Sequence, residues 1–189
     1  MSASVVLYAA QSNMQIDAEI AEKGRYRTKA EEMAMKLKQI SIFLENSPGR
    51  LYEATQALGD AGLNLRSLSI SDISGFGVLR VLVSDVAKAR MVMMEKQLPA
   101  RVDEVVAAEI VDAPGSLAKT LKLLMENKIN VDYMYALAGT SSGKAVMVFN
   151  FSDNDLAIKL LRENNIKVLD AESFGILEKP ADAKENRDG

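Results

Sequence analysis

Glu45-Asn46-Ser47-Pro48-Gly49-Arg50-Leu51 returns further along the chain as Val111-Asp112-Ala113-Pro114-Gly115-Ser116-Leu117. An offset of 66 carries Pro48 onto Pro114, Gly49 onto Gly115 and Leu51 onto Leu117. The same offset carries Leu58 onto Leu124, Asn64 onto Asn130 and Gly77 onto Gly143. A self-match held over so long a stretch marks an internal duplication, and it fixes the fold problem before any local reading. Each copy is about 65 residues, near the lower end of what folds alone.

Within the first copy, Ile40, Ile42 and Leu44 alternate as a half-buried strand requires. Pro48-Gly49 closes that strand and opens a helix, with Ser47 as the expected N-cap and proline at the first helical position. Leu51, Ala54, Thr55, Leu58 and Ala61 form one stripe at helical spacing, and Gly62 ends it in the left-handed conformation. Residues 63–71 read as a strand, 73–77 as a turn, 78–83 as a strand rich in β-branched residues. A helix over 86–97 and a short strand over 101–106 complete the unit. The second copy repeats the order: strand 106–111, helix 115–126, strand 129–137, hairpin 139–143, strand 144–151, helix 154–163, strand 167–172. The order β-α-β-β-α-β is the split unit of ferredoxin-like folds. The fold class is therefore α+β: two fused ferredoxin-like modules, each with two helices on one face of an antiparallel sheet. Residues 38–104 and 105–175 are the two domains, with about two residues between their adjoining strands, so the fusion is tight.

Residues 179–189 are polar and charged and read as a disordered tail. Residues 1–36 stand outside the repeat as an N-terminal extension. Lys29-Ala30-Glu31-Glu32 must be encoded by a purine-rich block shortly before the Met35 codon, as a bacterial ribosome-binding site would be. Met35 is therefore expected to be the true start, with 1–34 over-annotated upstream sequence; the alternative is a real N-terminal helix.

The chain of 189 residues has 48% apolar and 26% charged residues, a soluble balance, with a formal net charge of −3. No basic field is present to hold nucleic acid or anionic lipid. Cysteine and histidine are absent. That removes thiol nucleophiles, imidazole bases and cysteine or histidine metal sites, so no metal or other cofactor is expected. No apolar run approaches the roughly 18 residues of a membrane span. A cytoplasmic, non-catalytic protein is the expectation.

The residues also choose among modules of this topology. A metal chaperone would need paired cysteines. Gly75-Phe76-Gly77 mimics an RNA-recognition signature, but Val78 and Val81 stand where stacking rings are required. The loop Asn46-Ser47-Pro48-Gly49-Arg50-Leu51 with Asn64, repeated as Asp112-Ala113-Pro114-Gly115-Ser116-Leu117 with Asn130, resembles the signature of the ACT domain. The resemblance covers about residues 38–175 and implies a tandem ACT protein: a regulatory sensor that binds a free amino acid at an interface between modules and acts on a partner enzyme or regulator. It implies that the sheets of the two modules join side by side, and that the protein is a homodimer. The alternative is a permanent regulatory subunit of an amino-acid biosynthetic enzyme, like the small subunit of acetolactate synthase.

The chemistry of the loop supports ligand binding on its own terms. Glycine lets a ligand approach the backbone, and first-turn amides at the positive end of a helix dipole suit a carboxylate. Side-chain oxygens of Asn46 and Asn64, or of Asp112 and Asn130, can accept from an ammonium group. Arg50 is expected beside the carboxylate in the first copy only. A Pro-Gly step after a strand is also simply a helix start, with Asn46 or Asp112 capping the turn. Serine-binding members of the family carry a histidine two positions before the loop asparagine, where this chain has Leu44 and Ile110. That departure implies a more apolar ligand. Tyr133 and Tyr135 replace Ser67 and Ser69 on the helix-free face, where packing is the simplest role. Met91, Met93 and Met94 read as core filler.

Overall fold

The structure, a computed structural model, describes residues 34–73, 75–137, 143–174 and 176. Residues 1–33 of the expected extension and the expected tail lie outside these residues, as does most of the 139–143 hairpin; Lys36, assigned to the extension, already belongs to the first strand. Along the chain run β1 (Lys36–Glu45), α1 (Arg50–Asp60), β2 (Leu65–Ile73), β3 (Phe76–Val83), α2 (Val86–Glu95) and β4 (Ala100–Val111). Then follow α3 (Ser116–Glu126), β5 (Val131–Leu137), β6 (Lys144–Phe151), α4 (Asn154–Glu163), β7 (Lys167–Leu169) and a 3-10 turn, Glu172–Phe174. The duplicated β-α-β-β-α-β order is as expected.

The join between the copies differs from the expectation of two short strands. β4 is one unbroken strand of 12 residues. Residues 100–106 pair with β1, residues 106–111 with β6, and Ala107–Glu109 with β7. Val106 belongs to both modules, opposite Lys36 on one side and Phe149 on the other. The run Val105-Val106-Ala107-Ala108 is fully buried and carries no glycine, proline or turn residue to break it. A boundary drawn at 104/105 therefore falls inside a strand. All described strands form one sheet in the order β2-β3-β1-β4-β6-β5, with β7 beside β4.

Alternation assigns the faces. Ile40, Ile42 and Leu44 of β1 and Leu79, Val81 and Val83 of β3 form a core with Ala54, Leu58, Ala89 and Met93 of α1 and α2. Val106, Ala108 and Ile110 do the same with Leu124, Ala157, Ile158 and Leu161 of α3 and α4. Leu37, Leu82, Val105, Ala107, Val146, Val148 and Leu169, of opposite parity, form a third core on the helix-free face.

That third core shows how the sheet is bent. β2 and β5 lie at opposite ends of the strand order. On a flat sheet they would stand roughly 24 Å apart, at about 4.8 Å per strand. Instead the Ser67 and Tyr135 hydroxyls share a hydrogen bond of 3.2 Å. The sheet folds over along β4, so the helix-free faces of the modules close on each other and the helices lie outside. Tyr133 and Tyr135 are thus packed within the chain.

The seam so formed is partly polar. Gln39, with no exposed surface, donates to Tyr133 Oη (2.9 Å) and accepts from Tyr135 Oη (2.8 Å). Ser41 donates to Asp103 at 2.8 Å. The Arg80 guanidinium lies 4.2 Å from the Tyr133 ring centroid and donates to Ser71 at 2.8 Å. On the helix side, Lys36 bridges Glu104 of β4 (3.5 Å) and Asp155 of α4 (2.6 Å). The side chains of Asn150 and Asn154 both donate to the Glu104 carbonyl. Among the described residues, no helix is long and apolar enough to cross a membrane.

Gly62 takes φ 71 after α1, as expected, and the equivalent Lys128 takes φ 59 after α3 without glycine's freedom. Lys128→Gly is expected to stabilise the protein by about 1 kcal/mol in urea unfolding; an unchanged midpoint would contradict it. Burial, partly opposed by the Ser67 hydrogen bond, pushes the Tyr135 hydroxyl up to about 12. A raised acid favours the neutral folded form, so its contribution is complete below pH ~10 and is lost as pH climbs through the folded value. Urea midpoints measured from pH 9 to 11.5 should fall, and Tyr135→Phe should make that fall shallower. The same substitution should cost about 1–3 kcal/mol at pH 8, because Gln39 Oε1 and Ser67 lose a buried partner.

Candidate functional site

Both Pro-Gly loops fold into the same turn. The Arg50 amide donates to the Ser47 carbonyl at 3.3 Å, and the Ser116 amide to the Ala113 carbonyl at 3.1 Å. Gly49 sits at φ 94, ψ −23 and Gly115 at φ 84, ψ −7. Proline second and a positive-φ glycine third define a type II turn. The expected capping therefore fails: Gly49 and Gly115 are the N-cap residues, and no side chain caps either helix. Ser47 is drawn back into the turn, where its amide donates to the Glu45 carbonyl.

The other two helices are built differently. Asp85 accepts from the Lys88 amide at the start of α2, and Asp153 from the Leu156 amide at the start of α4. In each module the helix after the Pro-Gly turn is thus the one without a side-chain cap. Its first-turn amides, Leu51 and Tyr52 in α1 and Leu117 and Ala118 in α3, remain donors at the positive helix end.

Each loop is anchored to its neighbouring hairpin. The Asn46 amide donates to the Gly75 carbonyl (2.9 Å), and the Asp112 amide to the Gly143 carbonyl (3.0 Å). Gly143 therefore corresponds in space to Gly75, not to Gly77 as the offset of 66 had it. The second hairpin is two residues longer, so Ser84 matches Ser152 and Asp85 matches Asp153 beyond it.

The structure brings Asn46, Ser47, Pro48, Gly49, Arg50 and Leu51 together, and likewise Asp112, Ala113, Pro114, Gly115, Ser116 and Leu117. It does not bring Asn64 or Asn130 to them. Glu45 and Ile73 both pair with Phe76, whereas Leu65 pairs with Val83 at the other end of the module. Asn64 thus lies a strand length, about 25 Å, from Asn46. There its amide and carbonyl are tied to Ser84, as those of Asn130 are to Ser152. The Asn130 side chain donates to Asp132 at 3.0 Å, which leaves its carbonyl oxygen as an acceptor.

Arg50 is engaged, by Glu53 at 2.9 Å and Glu45 at 3.6 Å. A ligand carboxylate there would compete with two acids. The sequence reading missed Glu45 and Glu53, although their spacing from Arg50 put both within reach. In the second copy these positions are Val111 and Lys119, so the α3 start has no acid in its first turn. Leu44 and Ile110 are buried and face the cores. No group of described acidic residues is arranged to hold a metal.

Fold and loops together define a duplicated α+β module in which the helix after each Pro-Gly turn starts without a side-chain cap. The chain belongs to the ACT domain pair family, whose model matches residues 35–177. Protein BT0572 from Bacteroides thetaiotaomicron is similar in structure, with 36% identity, a TM-score of 0.70, and coverage of 76% of this chain and 99% of that one. The ligand-free regulatory subunit of aspartate kinase from Thermus thermophilus shares the fold at 14% identity and TM-score 0.53, with 68% and 93% covered. No curated protein matches the chain.

The glycine conformation is a precondition for these turns. A Cβ at Gly49 or Gly115 would meet nothing within 4 Å, so a substitution there is strained by φ alone. Gly115→Ala should therefore cost roughly 1–2 kcal/mol in unfolding experiments while the cores stay intact. A neutral effect would mean that the turn is not held as described.

Proposed function

We propose that this chain is a non-catalytic regulatory protein that binds a free amino acid at the Pro-Gly loops and passes its occupancy to a partner enzyme or regulator. Membership of the ACT domain pair family supports the class. The observation that carries the reading is the capping contrast: aspartate caps α2 and α4, while α1 and α3 present uncapped amides behind a glycine turn. An α-carboxylate would accept from those amides. Asn46 or Asp112 would face the ammonium group.

The downstream asparagines take part only from elsewhere. Asn64 stands at the start of an edge strand and the Asn46 loop beside its end. Another module pairing antiparallel along such an edge would bring its own asparagine to the loop. The ligand would then be shared between two modules, and binding would be coupled to assembly.

The test is a thermal-shift screen of the full chain against the common amino acids, with calorimetry on any hit. A ligand at about a hundred times its dissociation constant should add roughly 2.7 kcal/mol of stability. Asn46→Ala with Asn64→Ala, or Asp112→Ala with Asn130→Ala, should abolish the response of the copy that binds. A flat screen on folded protein, or a hit untouched by both pairs of substitutions, would overturn the proposal.

A further inference from the structure

The turn that joins α2 to β4 borders a cavity of about 340 Å³. Arg90 and Met94, one helical turn apart on α2, form one wall, and Gln97-Leu98-Pro99-Ala100 forms the other. Small-molecule sites start at roughly that size, about 300 Å³. Of the three methionines expected as core filler, only Met93 is buried; Met91 and Met94 stand 53% and 73% exposed. Ala89 and Met93 take the core face of α2, which leaves Arg90 and Met94 to the cavity.

The backbone of the turn is spent on itself. The Gln97 amide donates to the Met94 carbonyl (3.0 Å) and the Leu98 amide to the Met93 carbonyl (2.9 Å), while the Pro99 carbonyl accepts from the Phe43 amide (2.8 Å). The Arg90 guanidinium and the Gln97 carboxamide are left to meet a ligand. Among the described residues, Arg90 makes no ion pair or hydrogen bond. Every other described arginine is engaged: Arg50 with Glu53, Arg80 with Ser71, Arg101 with Asp103, and Arg66 and Arg162 as well. The positions one turn from Arg90 on α2 are Val86, Ala87, Met93 and Met94, none of them acidic. No acid lines the cavity either.

The second module is different at this place. Counted from the Asp85 and Asp153 caps, Arg90 matches Ile158 and Met94 matches Arg162. Ile158 is fully buried, in a core against which Met35 packs. Lys36 closes the same helix to the sheet through Asp155. The free cation over an apolar cavity therefore belongs to the first module and not to the repeat as such.

We propose that this cavity binds a small organic acid: one carboxylate on an apolar body, without an ammonium group. The Arg90 guanidinium takes the carboxylate in a paired hydrogen bond, with the Gln97 carboxamide beside it. Met94, Leu98, Pro99 and Ala100 cover the apolar body, Met94 adapting its side chain to it. An α-ammonium group would meet a like charge and no acidic acceptor, so the site discriminates against amino acids. It is distinct from the Pro-Gly loops and does not rest on their reading.

The test is an NMR titration of the full chain, labelled at backbone amides and methionine methyls, with 4-methylpentanoate. Saturable shifts are expected at the Met94 methyl and at the Gln97, Leu98 and Ala100 amides. The neutral isostere 4-methylpentanamide and the ammonium-bearing leucine should each bind there at least tenfold more weakly. Arg90→Gln should lose at least tenfold in affinity for the acid and leave the amide unchanged, a split that general damage to the turn would not give. Absence of saturable shifts at these residues would overturn the inference. So would an amide or leucine that binds there as tightly as the acid, or full affinity in Arg90→Gln.

Discussion

The structure depends on one unbroken strand. β4 supplies the last strand of the first module and the first strand of the second, and Val106 is hydrogen-bonded territory for both. A flexible linker would leave the modules free to reorient, but a shared strand fixes their register with backbone hydrogen bonds. The modules cannot slide without breaking β4 pairing to β1, β6 and β7 together. Because both sets of helices lie on faces of the same parity, folding the sheet along β4 has one outcome. The helix-free faces close on Leu37, Leu82, Val146 and Val148, and the two Pro-Gly loops emerge at opposite ends of the long strand.

The seam is stabilised differently from the two helix-side cores. Those are built of apolar side chains, Phe149 and Phe151 among them, and burial supplies their stability. The seam places Gln39 between two tyrosines and lays a guanidinium over a ring, so its geometry is directional. Polar groups buried there must find their partners, and misregistered faces would leave them unsatisfied. The Ser-to-Tyr change between the copies underlies this fit: Tyr135, whose counterpart one copy earlier is Ser69, reaches across to Ser67, two residues before that counterpart.

Much of this was legible in the sequence, and the exceptions have physical causes. Pro48-Gly49 and Pro114-Gly115 located both loops because a proline–glycine step encodes a turn almost by itself. The capping role given to Ser47 failed because that same step draws Ser47 into the turn. β4 looked like two strands because a repeat invites a boundary, whereas residues 105–108 contain nothing that breaks a strand. Closure of the sheet was not legible at all. Alternation gives the parity of a face but not what covers it, and the Ser67–Tyr135 contact spans nearly the whole strand order. The loops were found by local chemistry. The distance between Asn46 and Asn64 is a matter of topology: parallel strands joined by a helix put the start of one far from the end of the other.

The same module therefore carries two helix starts of different kinds, one finished by an aspartate and one left open behind a glycine turn. The most direct measurement of what the open starts do is an amide-resolved NMR titration of the full chain with the amino acids that shift its melting temperature. Saturable changes at Gly49, Leu51 and Tyr52, or at Gly115, Leu117 and Ala118, are the predicted result, with the Asp-capped starts of α2 and α4 unmoved. Binding that perturbs the capped helices and leaves both Pro-Gly turns silent would contradict the account.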